Sequence, residues 1–126
     1  MVERFASVPS PMSAIIMEHF HGAVTRVGVT DTAVPHRQEG WNIFIPSVWT
    51  DPAATDENVA WTRETHRAFG PHLEERRWLN YLGDDQGGDG GYVHDAYGPN
   101  YERLVELKRR YDPENVFHHN HNIDPS

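Results

Sequence analysis

A chain of 126 residues with no cysteine and a formal charge of −8, from 19 acidic and 11 basic residues, has room for one domain or part of one. That charge opposes binding to nucleic acid or to an anionic membrane surface, and the lack of cysteine excludes disulfides, thiolate metal sites and cysteine nucleophiles. No apolar run approaches the ~20 residues that span a bilayer. Met1-Val2-Glu3-Arg4 lacks the features of a signal peptide, so a soluble, cytoplasmic protein is the expectation.

Taken in chain order, Ser13 to Phe20 reads as a short helix after Pro9 and Pro11, with Ala14, Ile15, Met17 and Phe20 apolar. Ala23 to Val27 alternates and suits a strand; Gly28 to Asp31 is a turn. The richest strand pattern runs from Trp41 to Trp49. There Trp41, Ile43, Ile45 and Trp49 lie on one face and Phe44 and Val48 on the other, which predicts a sheet covered on both sides, with Pro46 at an edge or bulge. Thr55 or Asp56 can cap the next helix, whose inward stripe is Trp61, Thr65, Ala68 and Phe69 and which ends at Gly70-Pro71. Arg77 to Leu82 is a further strand. Gly83 to Gly91 has no apolar residue and reads as an exposed acidic loop.

The last helix opens on Gly98-Pro99-Asn100, with Asn100 as cap, and places Tyr101, Leu104, Val105, Leu107 and Tyr111 on one face. Glu102 and Glu106 stand toward its start and Lys108, Arg109 and Arg110 at its end, as the helix dipole favours. Asp112-Pro113 stops it, because proline lacks an amide donor. A tail then anchors through Val116, Phe117 and Ile123. The order of elements predicts an α+β fold: a small antiparallel sheet with packed helices.

From Tyr97 to Ile123 the residues follow the form YGxNYxRLxxxKxxYDPxNxFxxNxxI. They include Asn100-Tyr101, Arg103-Leu104, Lys108, Tyr111-Asp112-Pro113, Asn115, Phe117 and Asn120. This block resembles the C-terminal signature of the berberine bridge enzyme-like, FAD-linked oxidoreductases. Phe20 to Val24, Thr32 to Arg37 and Trp49 to Pro52 resemble segments that precede it in bacterial members. The resemblance implies that residues 1–82 are the end of a substrate-binding α+β domain. Residues 83–126 would be the acidic loop and the berberine-like segment, which packs back on an FAD-binding domain. That FAD domain is not within these 126 residues, so it would be supplied by the same or another chain. FAD and a small-molecule substrate are the implied ligands; neither nucleic acid nor membrane is an implied partner. The implied reaction moves a hydride from an alcohol or amine carbon to the flavin. The rival reading is a non-catalytic α+β interaction module, or a truncated remnant of such an oxidase.

Trp78-Leu79-Asn80-Tyr81 stands where the family usually shows Tyr-x-Asn-Tyr on a strand passing the flavin. The resemblance therefore assigns cofactor contact to Asn80 and Trp78 and the catalytic hydroxyl to Tyr81, since Trp78 has no ionisable hydroxyl. Alternation along a strand sets Trp78 and Asn80 on one face and Leu79 and Tyr81 on the other. Without the resemblance the same residues read as a core strand with a buried asparagine.

Other clusters point to less. His118, His119 and His121 lack zinc spacing, and adjacent His118 and His119 would face opposite sides of an extended tail. The loop from Gly83 to Gly91 lacks the register of a calcium loop, and its aspartates would repel a phosphate. Arg37, beside His36, could reach a substrate or flavin carbonyl; an ordinary salt bridge is the competing reading.

Overall fold

The structure, a computed structural model, describes residues 1–74, 76–81, 91–119 and 121–126. Expectations for Leu82, for the acidic loop up to residue 90 and for Asn120 fall outside these residues. The chain divides into two compact units, one made of Met1–Phe20 and Gly40–Glu74, the other of His21–Glu39 and Glu75–Ser126.

In the first unit stand α1 (Val2–Ala6), β1 (Ile16–Phe20), β2 (Gly40–Phe44) and α2 (Thr55–Phe69). The strands pair antiparallel with Ile16 opposite Phe44 and Phe20 opposite Gly40. Asn42 donates to the Glu18 carboxylate at 2.6 Å, and His19 stacks on Trp41 with ring centroids 4.3 Å apart. A slip of one residue would break both pairs, so they hold the register.

Here β1 replaces the helix expected over Ser13 to Phe20. Ala14, Ile15, Met17 and Phe20 do have helical spacing, but Ile15 and Ile16 are β-branched and every residue from 16 to 20 finds a partner on β2. The expected strand from Trp41 stops at Phe44. Beyond it the Pro46 carbonyl accepts from the Ala14 amide at 3.0 Å, and Ser13 Oγ accepts from the Val48 amide at 3.0 Å. Coverage of both faces is not met within the unit: Ile16, Met17 and Trp41 are exposed.

Helix α2 buries Asn58, Trp61 and Thr65, a stripe at four- and three-residue steps; Ala68, expected on it, is exposed. Trp61 Nε1 donates to the Arg4 carbonyl at 3.1 Å and so ties α1 to α2. Neither Thr55 nor Asp56 caps α2. Asp51 accepts from the Ala53 amide at 2.9 Å to open a 3-10 turn over Pro52–Ala54, while Thr55 Oγ1 donates to the Pro52 carbonyl.

Within the second unit the strand expected at Ala23 to Val27 is a 3-10 turn over Val24–Arg26, held by Thr25 Oγ1 on the Gly22 carbonyl at 3.0 Å. Alternation alone does not make a strand; no neighbour pairs with these residues among those described. Helix α3 (Gly91–Tyr97) was not expected, although Val93 and Ala96, both buried, have helical spacing. A 3-10 turn over Gly98–Asn100 leads into α4 (Tyr101–Tyr111), where Val105 is buried and Tyr101, Leu104 and Leu107 are half-buried. Tyr111 is exposed instead of inward, with the Arg110 guanidinium over its ring at 5.2 Å.

Asn100 occupies the cap position of α4 without making the cap bond. Its buried amide donates to the Val29 carbonyl at 2.8 Å, tying the first stretch of the unit to the helix. Polar contacts hold the tail where apolar ones were expected, for Val116 and Phe117 are 61% and 81% exposed. Lys108 bridges the Asp112 carboxylate and the Phe117 carbonyl, and Asp112 accepts from the amides of Val116 and Phe117. Ile123 is half-buried.

Candidate functional site

Trp78, Asn80 and Tyr81 do not lie on a strand. Leu79–Tyr81 is a 3-10 turn closed by the Tyr81 amide on the Trp78 carbonyl at 3.0 Å. A local bond of this kind satisfies the backbone without a neighbouring strand, and with it the expected alternation of faces is lost. Trp78 and Leu79 are half-buried, whereas Asn80 and Tyr81 are exposed, Tyr81 at 42%. The turn thus brings an indole, a carboxamide and a phenol together on one short stretch. Asn80 carries both a donor and an acceptor on an exposed side chain.

Support for the turn comes from the other stretch of the same unit. His36 Nε2 lies 2.8 Å from the Arg77 carbonyl, and the His36 ring meets the Trp78 ring at 4.8 Å, tilted 45°. Burial pushes the His36 pKa below its ordinary value; the bond to the Arg77 carbonyl opposes this, and the Arg76 and Arg37 guanidinium groups add to it. Arg76 donates to the Gln38 side chain. Arg37 makes neither a salt bridge among the described residues nor an outward contact: its guanidinium donates to the Val34 carbonyl at 3.2 Å and to Thr32 Oγ1 at 2.6 Å. It closes its own loop. The contribution of His36 was not legible in local spacing, because Arg77 is 41 positions away.

Tyr97, in the signature, has its pKa raised by burial, which suits a phenol that stays protonated. His118 and His119 do not face opposite sides: their rings meet at 4.7 Å. His121 sits edge-on to Tyr92 at 5.7 Å. Among the described residues no group of three or more His, Asp or Glu side chains could hold a metal ion.

Residues 77–124 match the model of the family described as berberine and berberine like, a span that begins two residues before the 3-10 turn and ends in the tail. Residues 77–124 are berberine-like. The chain is 31% identical over 121 residues to the aclacinomycin-N/aclacinomycin-A oxidase of Streptomyces galilaeus, covering 84% of this chain and 22% of that protein. It is 26% identical over 125 residues to the tetrahydroberberine oxidase of Berberis wilsoniae, covering 88% of this chain and 24% of the relative. An uncharacterized FAD-linked oxidoreductase of Bacillus subtilis is 29% identical over 105 residues, at 83% and 23% coverage. The chain therefore spans about a quarter of the length of the curated relatives it matches. The berberine-like segment contains Trp78, Asn80 and Tyr81, and the similarity reaches well beyond it. No helix among the described residues is long and apolar enough to cross a membrane.

Proposed function

We propose that this chain is the C-terminal segment of an FAD-dependent oxidoreductase, and that its turn over Trp78–Tyr81 faces the flavin. The observation that carries the reading is the berberine-like match over 77–124, whose first residues form a turn with Asn80 and Tyr81 exposed. The residues fit a flavin edge: Asn80 offers a donor and an acceptor to ring nitrogens and carbonyls, and Trp78 offers an apolar wall. They do not supply a phosphate cradle, since the glycine-rich stretch of the sequence carries three aspartates. An FAD-binding domain, in the same or another chain, holds the rest of the cofactor.

When bound, FAD supplies the hydride-accepting isoalloxazine, and the protein supplies orientation and electrostatics. Asn80 holds the ring edge in register. Tyr81 Oη orients an alcohol or amine substrate and, as the phenolate, takes the O–H or N–H proton released as hydride leaves the adjacent carbon. Trp78, lacking a hydroxyl, excludes water beside them. The exposed Val116 and Phe117 of the tail pack on the flavin domain. The cytoplasm is the compartment in this reading, and fractionation of native cells tests it.

The deciding experiment joins the chain to a flavin domain by fusion or co-expression and compares Tyr81→Phe with Trp78→Phe in single-turnover flavin reduction. Loss of the proton-transfer group is expected to slow reduction by ~10²–10⁴-fold for Tyr81→Phe, with a smaller effect for Trp78→Phe. Near-native rates for both would remove the turn from the chemical step.

A further inference from the structure

Two contacts of one side chain meet at the start of the Trp78–Tyr81 turn. A carbonyl oxygen can only accept, so the hydrogen bond to Arg77 requires the proton on Nε2 of His36. The same ring packs on Trp78, whose carbonyl receives the Tyr81 amide. The backbone entering the turn and its first side chain are therefore held together. Asn80 and Tyr81 follow within one turn, and their direction depends on where Trp78 sits. His36 is itself kept in place by its neighbours: Arg37 closes the loop onto Thr32 and Val34, and Gln38 accepts from Arg76.

We propose that His36 is a positioning residue: its neutral imidazole, carrying the proton on Nε2, sets the direction in which the turn presents Asn80 and Tyr81. The inference rests on the reading of that turn as the flavin-facing part of the chain. Burial disfavours the imidazolium, and the Arg76 and Arg37 guanidinium groups add to that against the opposing pull of the Arg77 carbonyl bond.

The test follows the His36 ring nitrogens and the Asn80 and Tyr81 backbone amides by NMR in the 126-residue chain, from about pH 8 to below the ordinary histidine pKa of ~6.5. A neutral ring with the proton on Nε2 is expected near pH 7, and both amides should titrate together with it. His36→Gln keeps a donor for the Arg77 carbonyl, so its amides should stay near their wild-type positions and lose the titration. His36→Ala should displace them and speed their exchange by ~10-fold or more. Proton placement on Nδ1, or turn amides indifferent to His36→Ala, would overturn the proposal. If His36→Ala does not fold, the wild-type titration and His36→Gln decide the matter, and loss of the turn in His36→Gln counts against it. In the flavin-fused protein His36→Ala should slow flavin reduction by ~10–10²-fold and His36→Gln should recover most of it. A silent Tyr81→Phe with the NMR signature intact would sink the flavin reading alone. The full Tyr81→Phe loss with a silent His36 signature would sink this inference alone.

Discussion

Asp112 accepts from Lys108 Nζ and from the amides of Val116 at 2.8 Å and Phe117 at 3.1 Å, so one carboxylate ends α4 and starts the tail. The Lys108 hydrogen bond is the main reason its pKa lies below the ordinary carboxylate value, with the two amides adding to it. Lys108 and Asp112 keep 13% and 11% of their side-chain exposure, so the pair is largely covered, and desolvation partly offsets the lowering. A carboxylate with a depressed folded pKa contributes stability above the unfolded value of ~3.9 and loses it as pH falls through the folded value. Amide exchange at Val116 and Phe117 should therefore be slow at neutral pH and quicken below about pH 4, and Asp112→Ala should show the fast rate at every pH. His36 follows the same sign by a different route. Its lowered folded pKa means that the unfolded chain takes up a proton first as pH falls below ~6.5, so acid destabilises the fold, and His36→Gln should remove that part of the pH dependence in thermal melts.

Two helices show which faces carry weight. In α4 the buried residue is Val105, while Leu104 is half-buried. Val105→Ala should cost about 1–3 kcal/mol by the area and cavity it removes, and Leu104→Ala should fall short of the ~2–5 kcal/mol of a fully buried leucine. Chemical denaturation of both variants checks the order, and a cost of several kcal/mol for Leu104→Ala would reverse the assignment of the inward face. Entry into α4 depends on Gly98, whose φ of +49° is strained for any residue with a Cβ, although a Cβ there would meet no atom within 4 Å. Gly98→Ala should therefore destabilise by ~1–2 kcal/mol through the backbone alone. In α2 the buried stripe is largely polar, and Trp61 joins it to α1 through the Arg4 carbonyl. Trp61→Phe removes the indole donor while Ser7 still donates to that carbonyl, so it should cost about 0.5–1.5 kcal/mol, seen as fraying of Val2–Ala6 in hydrogen exchange.

At the scale of the molecule, two units that each draw on separated stretches of sequence expose apolar groups usually covered. Trp41 is 59% exposed in the first unit, and Phe117 81% in the second. A two-stranded sheet is marginal by itself, so β1 and β2 suit a larger sheet completed by other strands. With no glycine-rich stretch free of aspartates to cradle phosphates, the 126-residue chain should not bind FAD tightly. Calorimetric titration should give a Kd no tighter than about 1 μM, and a tighter value would show that the chain holds the cofactor unaided.

Residue chemistry acting over a turn or less was legible along the chain. The charge order of α4, the stop at Asp112-Pro113, the end of α2 at Gly70-Pro71 and the turn at Gly28 to Asp31 all depend on neighbours within a few positions. The berberine-like signature was legible too, because its spacings are local. Partner-dependent features were not. A helical pattern over Ser13 to Phe20 gave way to β1 because β2 supplied a complete ladder, whereas Ala23 to Val27 and Arg77 to Tyr81 formed turns for want of one among the described residues. Asn100 left its cap for the Val29 carbonyl, 71 positions away, and His36 reached the Arg77 carbonyl across 41. Propensities over a few residues differ by ~1 kcal/mol, and one satisfied ladder or one buried hydrogen bond outweighs them. The sequence by itself determined where helices stop and which residue types meet at the turn; only tertiary structure decided which segments paired and what holds Trp78, Asn80 and Tyr81 in place.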